Sequence, residues 1–400
     1  DILFTSVDGT TKLDHEIESY TNSNGALVAW VEVPMLSSTA DTILYLYYGN
    51  SSATNQQNVS GVWSSNFKGV WHVKEATGNF IDSTSNGRNG TDNVSATGKT
   101  GKISYGQQFN GTNDYINAGT FDPSTGDLTV SVWAKWSGTN GQHQTLVAKR
   151  SSWSSSNMRW QLVHNDLYSR IYFETYTERA DFGVDVPDST TWHLYVVTRS
   201  GTTCRLYKDG SAYGTNDTLN NYSTNVTAPV VIGGNIGVTE TWNGNLDEVR
   251  ISNIALSTNW IGTEYNNQSS PATFYSVSSA ESAPPTKLAI TSVNGGSNPT
   301  AGTTFSVVVQ AQDAGSVARN VTADTVVTLS LNTGSGTLGG TLTGTITNGN
   351  SSVTITGVTY TKAESGVILT ATRTSGLTLT AGNSSSITVN PGAFVKLQLL

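Results

Sequence analysis

The chain has 400 residues, which is enough for several domains at about 100 to 200 residues each. Only 12% of the residues are charged, roughly half the usual share of about 25%, so the exposed charge pairs that support helical bundles are scarce. The net charge is −8 with no run of Lys or Arg, which disfavours nucleic acid and anionic membrane surfaces as partners. No apolar run approaches the roughly 18 to 20 residues of a membrane span, and the single Cys204 permits no disulfide within the chain.

The pattern of residues 1–66 predicts an incomplete β domain. Apolar alternation in 26–33 and in 42–48 predicts two strands, each closed by polar or Gly-Asn turns. The stretch resembles a prokaryotic domain of unknown function through motifs in the family's order: Asp8-Gly9, Trp30-Val31, Tyr47-Tyr48-Gly49-Asn50 and Val62-Trp63. These motifs belong to the C-terminal half of that family, so the resemblance implies a partial domain.

Residues 67–273 predict a second unit of short strands and turns. Its motifs occur in the order Gln108–Ile116, Leu128–Lys135, Trp192–Leu194, Arg205–Gly210 and Gly244–Ile251. This order resembles a LamG-like jelly roll of the concanavalin A-like lectin/glucanase superfamily, a fold that hosts many functions. Within the unit, Asp209-Gly210 predicts a two-residue hairpin turn that needs positive φ, and Ser257 predicts the N-cap of one short helix.

Residues 274–400 have the pattern of a linker followed by Ig-like repeats, and stacked copies of such repeats would form a stalk. Residues 274–285 are small and polar, end in Pro284-Pro285, and predict a stiff linker. Alternating strands between Gly/Asn turns in 286–392 are typical of a bacterial Ig-like β-sandwich, here without the Cys pair of antibody domains. Residues 396–399 repeat the pattern of 287–290, so we expect a second Ig-like repeat to begin at 393–400 and the chain to be a fragment of a longer protein. The predicted fold class is therefore all-β, a jelly-roll β-sandwich between a partial N-terminal β domain and an Ig-like sandwich.

Motifs for catalysis are absent from the sequence. Glucanases on this scaffold use two carboxylates in a Glu-x-Asp-x-x-Glu run on one strand, and the chain contains no such run. The five histidines have no zinc-binding spacing, and Cys204 alternates with Leu206 in a strand, as a buried small hydrophobe would. We therefore expect a protein that is not an enzyme.

Calcium is the one cofactor that the resemblance implies. In LamG-like and laminarinase-type proteins, an Asp at the position of Asp247 often binds Ca²⁺ together with backbone carbonyls from early loops. Asp82 and the carbonyl of Gly111 are the candidate companions, because Ca²⁺ prefers oxygen ligands. The alternative is that Asp82 and Asp247 accept backbone N–H bonds in turns.

Aromatic residues suggest where a ligand binds. Ile171 and Phe173 suit the core, which leaves Arg170, Tyr172, Glu174 and Tyr176 on the opposite strand face, where two Tyr rings could stack on a sugar. Trp153 in a Ser-rich loop and Trp133 in a strand are further candidates. The alternative is that these aromatics belong to the second face of a sheet and only pack.

The favoured function is a non-catalytic, exported surface or adhesion protein, secreted or held at the cell surface. Its jelly roll would bind a polysaccharide, a cell-surface glycan or another extracellular polymer, without inserting into a membrane. Two alternatives stay open: a structural spacer or filament and sheath component, and the accessory region of a larger polysaccharide-active enzyme.

Overall fold

The computed structural model describes residues 1–50, 52–124, 126–166, 168–185, 191–222, 226–237, 239–281 and 283–393. Regular structure is nearly all strand, so the all-β prediction is confirmed. The chain divides into two compact units, Asp1–Ser276 and Val277–Leu400. The finer domain boundaries stay predictions from the sequence.

Residues 1–66 form two small sheets and one short helix. The elements are β1 (Leu3–Ser6), β2 (Lys12–Leu13), β3 (His15–Thr21), β4 (Ala26–Val31), β5 (Leu44–Tyr47) and α1 (Val59–Val62). β1 pairs with β2 and β5, while β3 and β4 form a hairpin. Both strands predicted in this part are therefore present, as β4 and β5.

The remainder of the first unit is a two-sheet jelly roll. Its strands are β6 (Phe67–Trp71), β7 (Thr91–Asn93), β8 (Gln107–Asn110), β9 (Tyr115–Asn117), β10 (Leu128–Trp136), β11 (Gln144–Arg150), β12 (Met158–Asn165), β13 (Arg170–Glu174), β14 (Arg179–Asp185), β15 (His193–Ser200), β16 (Thr203–Lys208), β17 (Ser211–Ala212), β18 (Asp217–Thr218), β19 (Val230–Ile232) and β20 (Asn243–Ser252). One sheet has the order β17-β16-β15-β10-β20-β6, with β18 on β16 and β8 on β20. The other has the order β14-β13-β12-β11-β19-β9-β7.

The main core lies between these two sheets. Side chains alternate along a strand with a period of two, so β10 contributes Val130 and Val132 while β12 contributes Trp160 and Leu162. All four are buried, and each large apolar side chain contributes about 1.5 to 3 kcal/mol by leaving water.

Two helices, α2 (Thr258–Ser269) and α3 (Pro271–Phe274), follow the last strand. Ser257 Oγ accepts a hydrogen bond from Trp260 N at 3.2 Å, which confirms the predicted N-cap. Ile261 of α2 packs with Trp133 and Leu194 on the first sheet, in a second cluster separate from the main core. Within the described residues, none of the helices combines the length and apolar character needed to cross a membrane.

Two local features set the directions of side chains in the first sheet. Asp209 and Gly210 have φ of 53° and 77°, so the predicted hairpin turn with positive φ is confirmed. β20 carries an extra residue opposite β10, and Glu248 at that point has φ of 51°. The β-bulge interrupts the alternation, so Asp247 and Glu248 are both buried.

The second unit is also built from two sheets. Its elements are β21 (Lys287–Val293), a 3₁₀ turn (Asn294–Gly296), β22 (Thr304–Gln312), β23 (Thr325–Thr333), β24 (Leu338–Gly340), β25 (Thr343–Ile346), β26 (Ser352–Tyr360), β27 (Glu364–Ser375), β28 (Gly382–Asn383) and β29 (Ile387–Val389). The orders are β21-β22-β26-β24 and β25-β23-β27-β28, with β29 on β27. Val309, Leu329 and Leu369 share one core. Its assignment as Ig-like stays a prediction, and the predicted second repeat falls outside the described residues beyond 393.

Candidate ligand-binding site

β13 lies in the seven-stranded sheet and has two buried faces. Ile171 and Phe173 enter the main core, and Tyr172 and Glu174 lie on the opposite face, as the alternation predicts. Tyr172 and Glu174 are nevertheless only 3% exposed each, so side chains and loops cover this part of the outer face. Arg170 lies toward the edge of the sheet, where its Nη1 donates to Asp181 Oδ2 at 2.8 Å.

A buried polar row crosses this outer face. Gln161 on β12 pairs with Glu174 on β13, and Glu174 pairs in turn with Arg179 on β14. Gln161 is fully buried, and its Nε2 donates to Glu174 Oε1 at 2.8 Å. Burial raises the pKa of Glu174, because the charged carboxylate loses its contact with water.

Arg150 and Glu240 complete the polar network. Arg150 Nη1 donates to Gln161 Oε1 at 2.7 Å, and Arg150 forms a close bidentate ion pair with Glu240. Gln161 Nε2 also lies 3.2 Å from Glu240 Oε2. Glu240 comes from the connection between β19 and β20 and has φ of 56°. Arg150, Gln161 and Glu174, which are buried, and the half-buried Glu240 therefore form one connected network, referred to below as the polar floor.

Two aromatic rings lie at the edge of the polar floor. Trp153 and Tyr176 contact each other edge to face, with ring centroids 5.9 Å apart and planes at 61°. Arg150 Cζ lies 5.0 Å from the Trp153 ring centroid, within cation–π range. Trp153 is 45% exposed and Tyr176 is 40% exposed. Each ring is thus held by the protein and also presents surface to solvent.

The structure separates the other predicted aromatics from this edge. Tyr172 is buried, with Arg179 Cζ 5.0 Å from its ring centroid. Trp133 lies on the other sheet, buried beneath α2, where it stacks on Tyr265 with centroids 5.8 Å apart and donates its Nε1–H to Gln268. Trp133 is therefore reassigned from the candidate ligand site to the packing of α2.

Sequence reasoning found the aromatic edge but missed Arg150, Gln161 and Glu240. A weak signal existed for Arg150, because Lys149 and Arg150 place two cations in an otherwise apolar strand. No signal existed for Glu240, which lies 90 residues from Arg150 in the chain.

Two of the predicted calcium ligands already have protein donors. The carboxylate of Asp82 accepts hydrogen bonds from the backbone N–H groups of Val70, Thr84 and Arg88 at 2.8 to 3.0 Å. The carbonyl of Gly111 accepts from Asn140 Nδ2 at 2.7 Å. The contacts of Asp82 are those of the alternative interpretation, a carboxylate that closes a turn.

Asp247 has a different environment. Its Oδ2 accepts from the backbone N–H groups of Lys102 and Ile103 at 2.7 and 2.8 Å, while Oδ1 is buried with no hydrogen-bond partner. Burial, followed by the charge of Glu248, raises the pKa of Asp247 well above its usual value. Among the described residues, the group of His and carboxylate side chains with metal-ligand spacing does not include Asp247 or Asp82, and calcium binding stays a prediction.

Comparison with solved structures finds distant likenesses. Domain 4 of AbnA, a GH43 extracellular arabinanase from Geobacillus stearothermophilus, in complex with arabinotriose, is 19% identical, with 49% of this chain and 97% of that chain covered and a TM-score of 0.40. Trypanosoma rangeli sialidase is 11% identical over 52% of this chain and 34% of its own, with a TM-score of 0.41. The binding domain of Paraclostridial Mosquitocidal Protein 1 is 16% identical over 68% and 61%, with a TM-score of 0.39. These TM-scores are too low to carry an argument.

Family comparisons are more specific. None of the curated proteins matches this chain. Residues 1–92 match the model of a domain of unknown function (DUF2341), and residues 110–262 match the model of the concanavalin A-like lectin/glucanases superfamily. The resemblances inferred from the sequence are therefore confirmed for both parts: the chain carries a concanavalin A-like lectin/glucanase domain, preceded by a domain of the DUF2341 family.

Proposed function

We propose that the jelly roll binds a polysaccharide or cell-surface glycan at Trp153 and Tyr176 and does not cleave it. The observation that carries the proposal is the partly exposed aromatic pair anchored on Arg150, a buried cation that is ion-paired with the half-buried Glu240. Sugar rings have apolar C–H faces that stack on aromatic rings, and their hydroxyl groups need polar partners nearby. The edge of the polar floor offers both kinds of group together.

Rigidity supports this proposal. Arg150 is held by Gln161 and Glu240, so the Trp153 ring rests against a side chain that is fixed from below. A ring that is already ordered loses little conformational entropy when a ligand stacks on it. Stacking on each ring would be worth about 0.5 to 1.5 kcal/mol by analogy with aromatic pairs. We expect weak binding, with Kd in the micromolar to millimolar range, or about −8 to −4 kcal/mol.

The state of the two floor carboxylates supports a non-catalytic function. Glycoside hydrolysis usually requires one carboxyl group as the acid and a second as the base or nucleophile, both facing the substrate. Here Glu174 is bound by Gln161, and Glu240 is neutralised by Arg150. A glycan-binding module of this kind is suited to a secreted or cell-surface adhesion protein, which is the localisation that we propose.

Glycan-array screening of the full chain, followed by calorimetry on the best ligand, tests the proposal. Trp153→Ala and Tyr176→Ala should each weaken binding about twofold to tenfold, from the stacking energies above. The matched control is Trp260→Ala, because Trp260 is also about half exposed but lies on α2, against the other sheet. Repeating the assay with calcium and with a chelator tests the predicted Ca²⁺ dependence at Asp247.

Three outcomes would count against the proposal. If no glycan binds at millimolar concentration, the structural-spacer alternative is favoured. If Trp153→Ala binds as tightly as the parent, the glycan site lies elsewhere. Reducing-sugar release that survives purification and disappears in Glu174→Gln would show that the domain is an enzyme.

A further inference from the structure

Residues 1–66 pack on the jelly roll around a buried histidine. His72 directly follows β6, Glu248 lies on β20, and Glu16 and Glu18 lie on β3 of the N-terminal part. Together with Arg250 they are all buried, and we refer to these five residues as the His72 cluster. The cluster therefore joins a strand of residues 1–66 to strands of the jelly roll within one compact unit.

Three members of the His72 cluster have the spacing of metal ligands. His72 Nδ1 lies 2.6 Å from Glu248 Oε1 and 3.8 Å from Glu18 Oε2. One ligand atom from each of the three residues lies within 4.8 Å of the other two. In a tetrahedral site with bonds of about 2.0 to 2.1 Å, ligand atoms are about 3.3 Å apart. The two distances from His72 Nδ1 bracket this value, and the third pair, Glu18 and Glu248, lies within 4.8 Å.

The outer contacts orient these ligands. Glu16 Oε2 lies 3.4 Å from His72 Nε2, on the side of the ring opposite Glu18 and Glu248. Glu16 is itself held by Ser83 Oγ at 2.8 Å and by Trp63 Nε1 at 3.2 Å. At 3.4 Å this is an ion-pair contact and not a hydrogen bond, and a carboxylate on the second ring nitrogen of a histidine is the usual support for a metal-bound imidazole. This arrangement leaves His72 Nδ1 facing the other two carboxylates.

Charge balance points to a cation at this place. The buried carboxylates exceed the buried cations by three, with Glu16, Glu18, Asp247, Glu248 and Glu264 set against His72 and Arg250. An unpaired buried charge is costly, so the excess must be met by protons or by a cation.

An unpartnered oxygen gives independent support. Glu18 Oε2 accepts from Trp30 Nε1 at 2.8 Å, but Glu18 Oε1 is buried and has no hydrogen-bond partner. The Glu18 side chain has no exposed surface, so bulk water does not satisfy that oxygen. Oε2 is the Glu18 oxygen measured at 3.8 Å from His72 Nδ1, and Oε1 of the same carboxylate is the one without a donor, so a metal ion held by Glu18 would complete the bonding of this side chain.

We propose that Glu18, His72 and Glu248 bind one divalent transition-metal ion of the Zn²⁺ class. One imidazole nitrogen with carboxylate oxygens suits Zn²⁺, whereas Ca²⁺ prefers an all-oxygen site with six or more ligands. Binding replaces the proton on His72 Nδ1, which is released to solvent. Since Glu18 lies on β3 and Glu248 on β20, the ion would tie the N-terminal hairpin to the jelly-roll sheet.

Zinc titration of the full chain, after chelator treatment and dialysis, tests the site. Calorimetry should find one Zn²⁺ per chain, and zinc should raise the melting temperature followed by tryptophan fluorescence. At a free zinc concentration of about 100 times Kd, the folding equilibrium constant should rise about 100-fold. His72→Gln and Glu18→Gln should each weaken binding at least about tenfold. The control Glu32→Gln removes a carboxylate of the N-terminal part outside the His72 cluster and should bind zinc as the parent does.

Absence of zinc binding, or equal binding by His72→Gln and the parent, would overturn the proposal. Circular dichroism shows whether each variant is folded. If both cluster variants fail to fold, X-ray absorption of the zinc-loaded parent decides: an imidazole nitrogen with oxygen ligands supports the site, and a shell without imidazole refutes it.

Discussion

Arg250 is a buried cation whose loss should strongly destabilise the first unit. Its Nη2 donates to Glu248 Oε2 at 2.7 Å, and its Nη1 donates to Glu264 Oε1 at 2.9 Å. The guanidinium also lies over two indole rings, 4.5 Å from the centroid of Trp30 and 4.9 Å from that of Trp63. Arg250→Met keeps most of the side-chain volume and removes only the charge and the donors.

The expected loss follows from what the methionine leaves behind. Glu248 keeps His72 as a partner, but Glu264 loses its only ion-pair partner in the described residues while it stays buried. Breaking one side of a buried ion pair costs about 3 to 5 kcal/mol. Each lost cation–π contact adds about 0.5 to 2 kcal/mol, which the new methionine–aromatic contacts partly offset. We therefore expect Arg250→Met to lower the free energy of unfolding by about 3 to 5 kcal/mol.

Tryptophan fluorescence during urea unfolding measures this loss in the intact chain. All ten tryptophans precede residue 277, so the signal reports the first unit and not the second. The matched control is Arg170→Met, which removes an ion pair at a half-exposed position and should cost less than about 1 kcal/mol. Adding Glu264→Gln to Arg250→Met should recover part of the stability, because it removes the unpaired charge.

Two results would refute this reasoning. One is a loss of unfolding free energy below about 1 kcal/mol for Arg250→Met. The other is a double variant, Arg250→Met with Glu264→Gln, that is less stable than Arg250→Met alone by the full cost of a second substitution. Either result would mean that Glu264 does not carry a buried charge in the folded chain.

The remaining predictions concern titration, backbone strain and a thiol. Burial lowers the pKa of His164 to about 4, against about 6.5 when unfolded, so the unfolded chain binds the proton first as the pH falls. The free energy of unfolding should then fall as the pH drops from 6.5 to 4, by about 2 kcal/mol at pH 5. His164→Gln should flatten this part of the stability profile, and an unchanged profile would contradict a lowered pKa at His164. Gly210→Ala should lower the free energy of unfolding in urea by about 1 to 3 kcal/mol, because φ is 77° and the new Cβ would lie 2.8 Å from Tyr265 Cβ. The control is Gly201→Ala, which should cost less because φ is 58° and the space around the new Cβ is open. Burial raises the pKa of Cys204 to about 12, so a thiol reagent at pH 8 should label the chain only after unfolding, and labelling of the native chain would disprove this.

Local patterns predicted the elements of the fold well. Ile171 and Phe173 enter the core because alternate residues of a strand face opposite sides, whatever the rest of the chain does. The turn at Asp209 and Gly210 and the cap at Ser257 likewise depend on a few neighbouring residues. Such preferences are readable from sequence because the interactions that produce them span only a few positions.

The candidate glycan site was only partly predictable. Trp153 and Tyr176 were identified from the sequence, but nothing in it showed that they touch each other or that Arg150 supports them. Trp133 was a candidate of the same residue type as Trp153, yet it lies in a strand that α2 covers. Exposure of an aromatic ring depends on which distant segment packs over it, and a local pattern does not contain that information.

The sequence by itself determined the all-β class, the order of the strands along the chain and the faces that enter the core, because backbone periodicity and turn chemistry are local. Only the tertiary structure decided which polar side chains share a buried space. The bulge at Glu248 broke the expected alternation, and packing of β3 against the jelly roll brought Glu18 to His72 from 54 positions earlier in the chain. Desolvation and charge pairing depend on distances in space, so the polar floor and the His72 cluster appear only when the chain is folded.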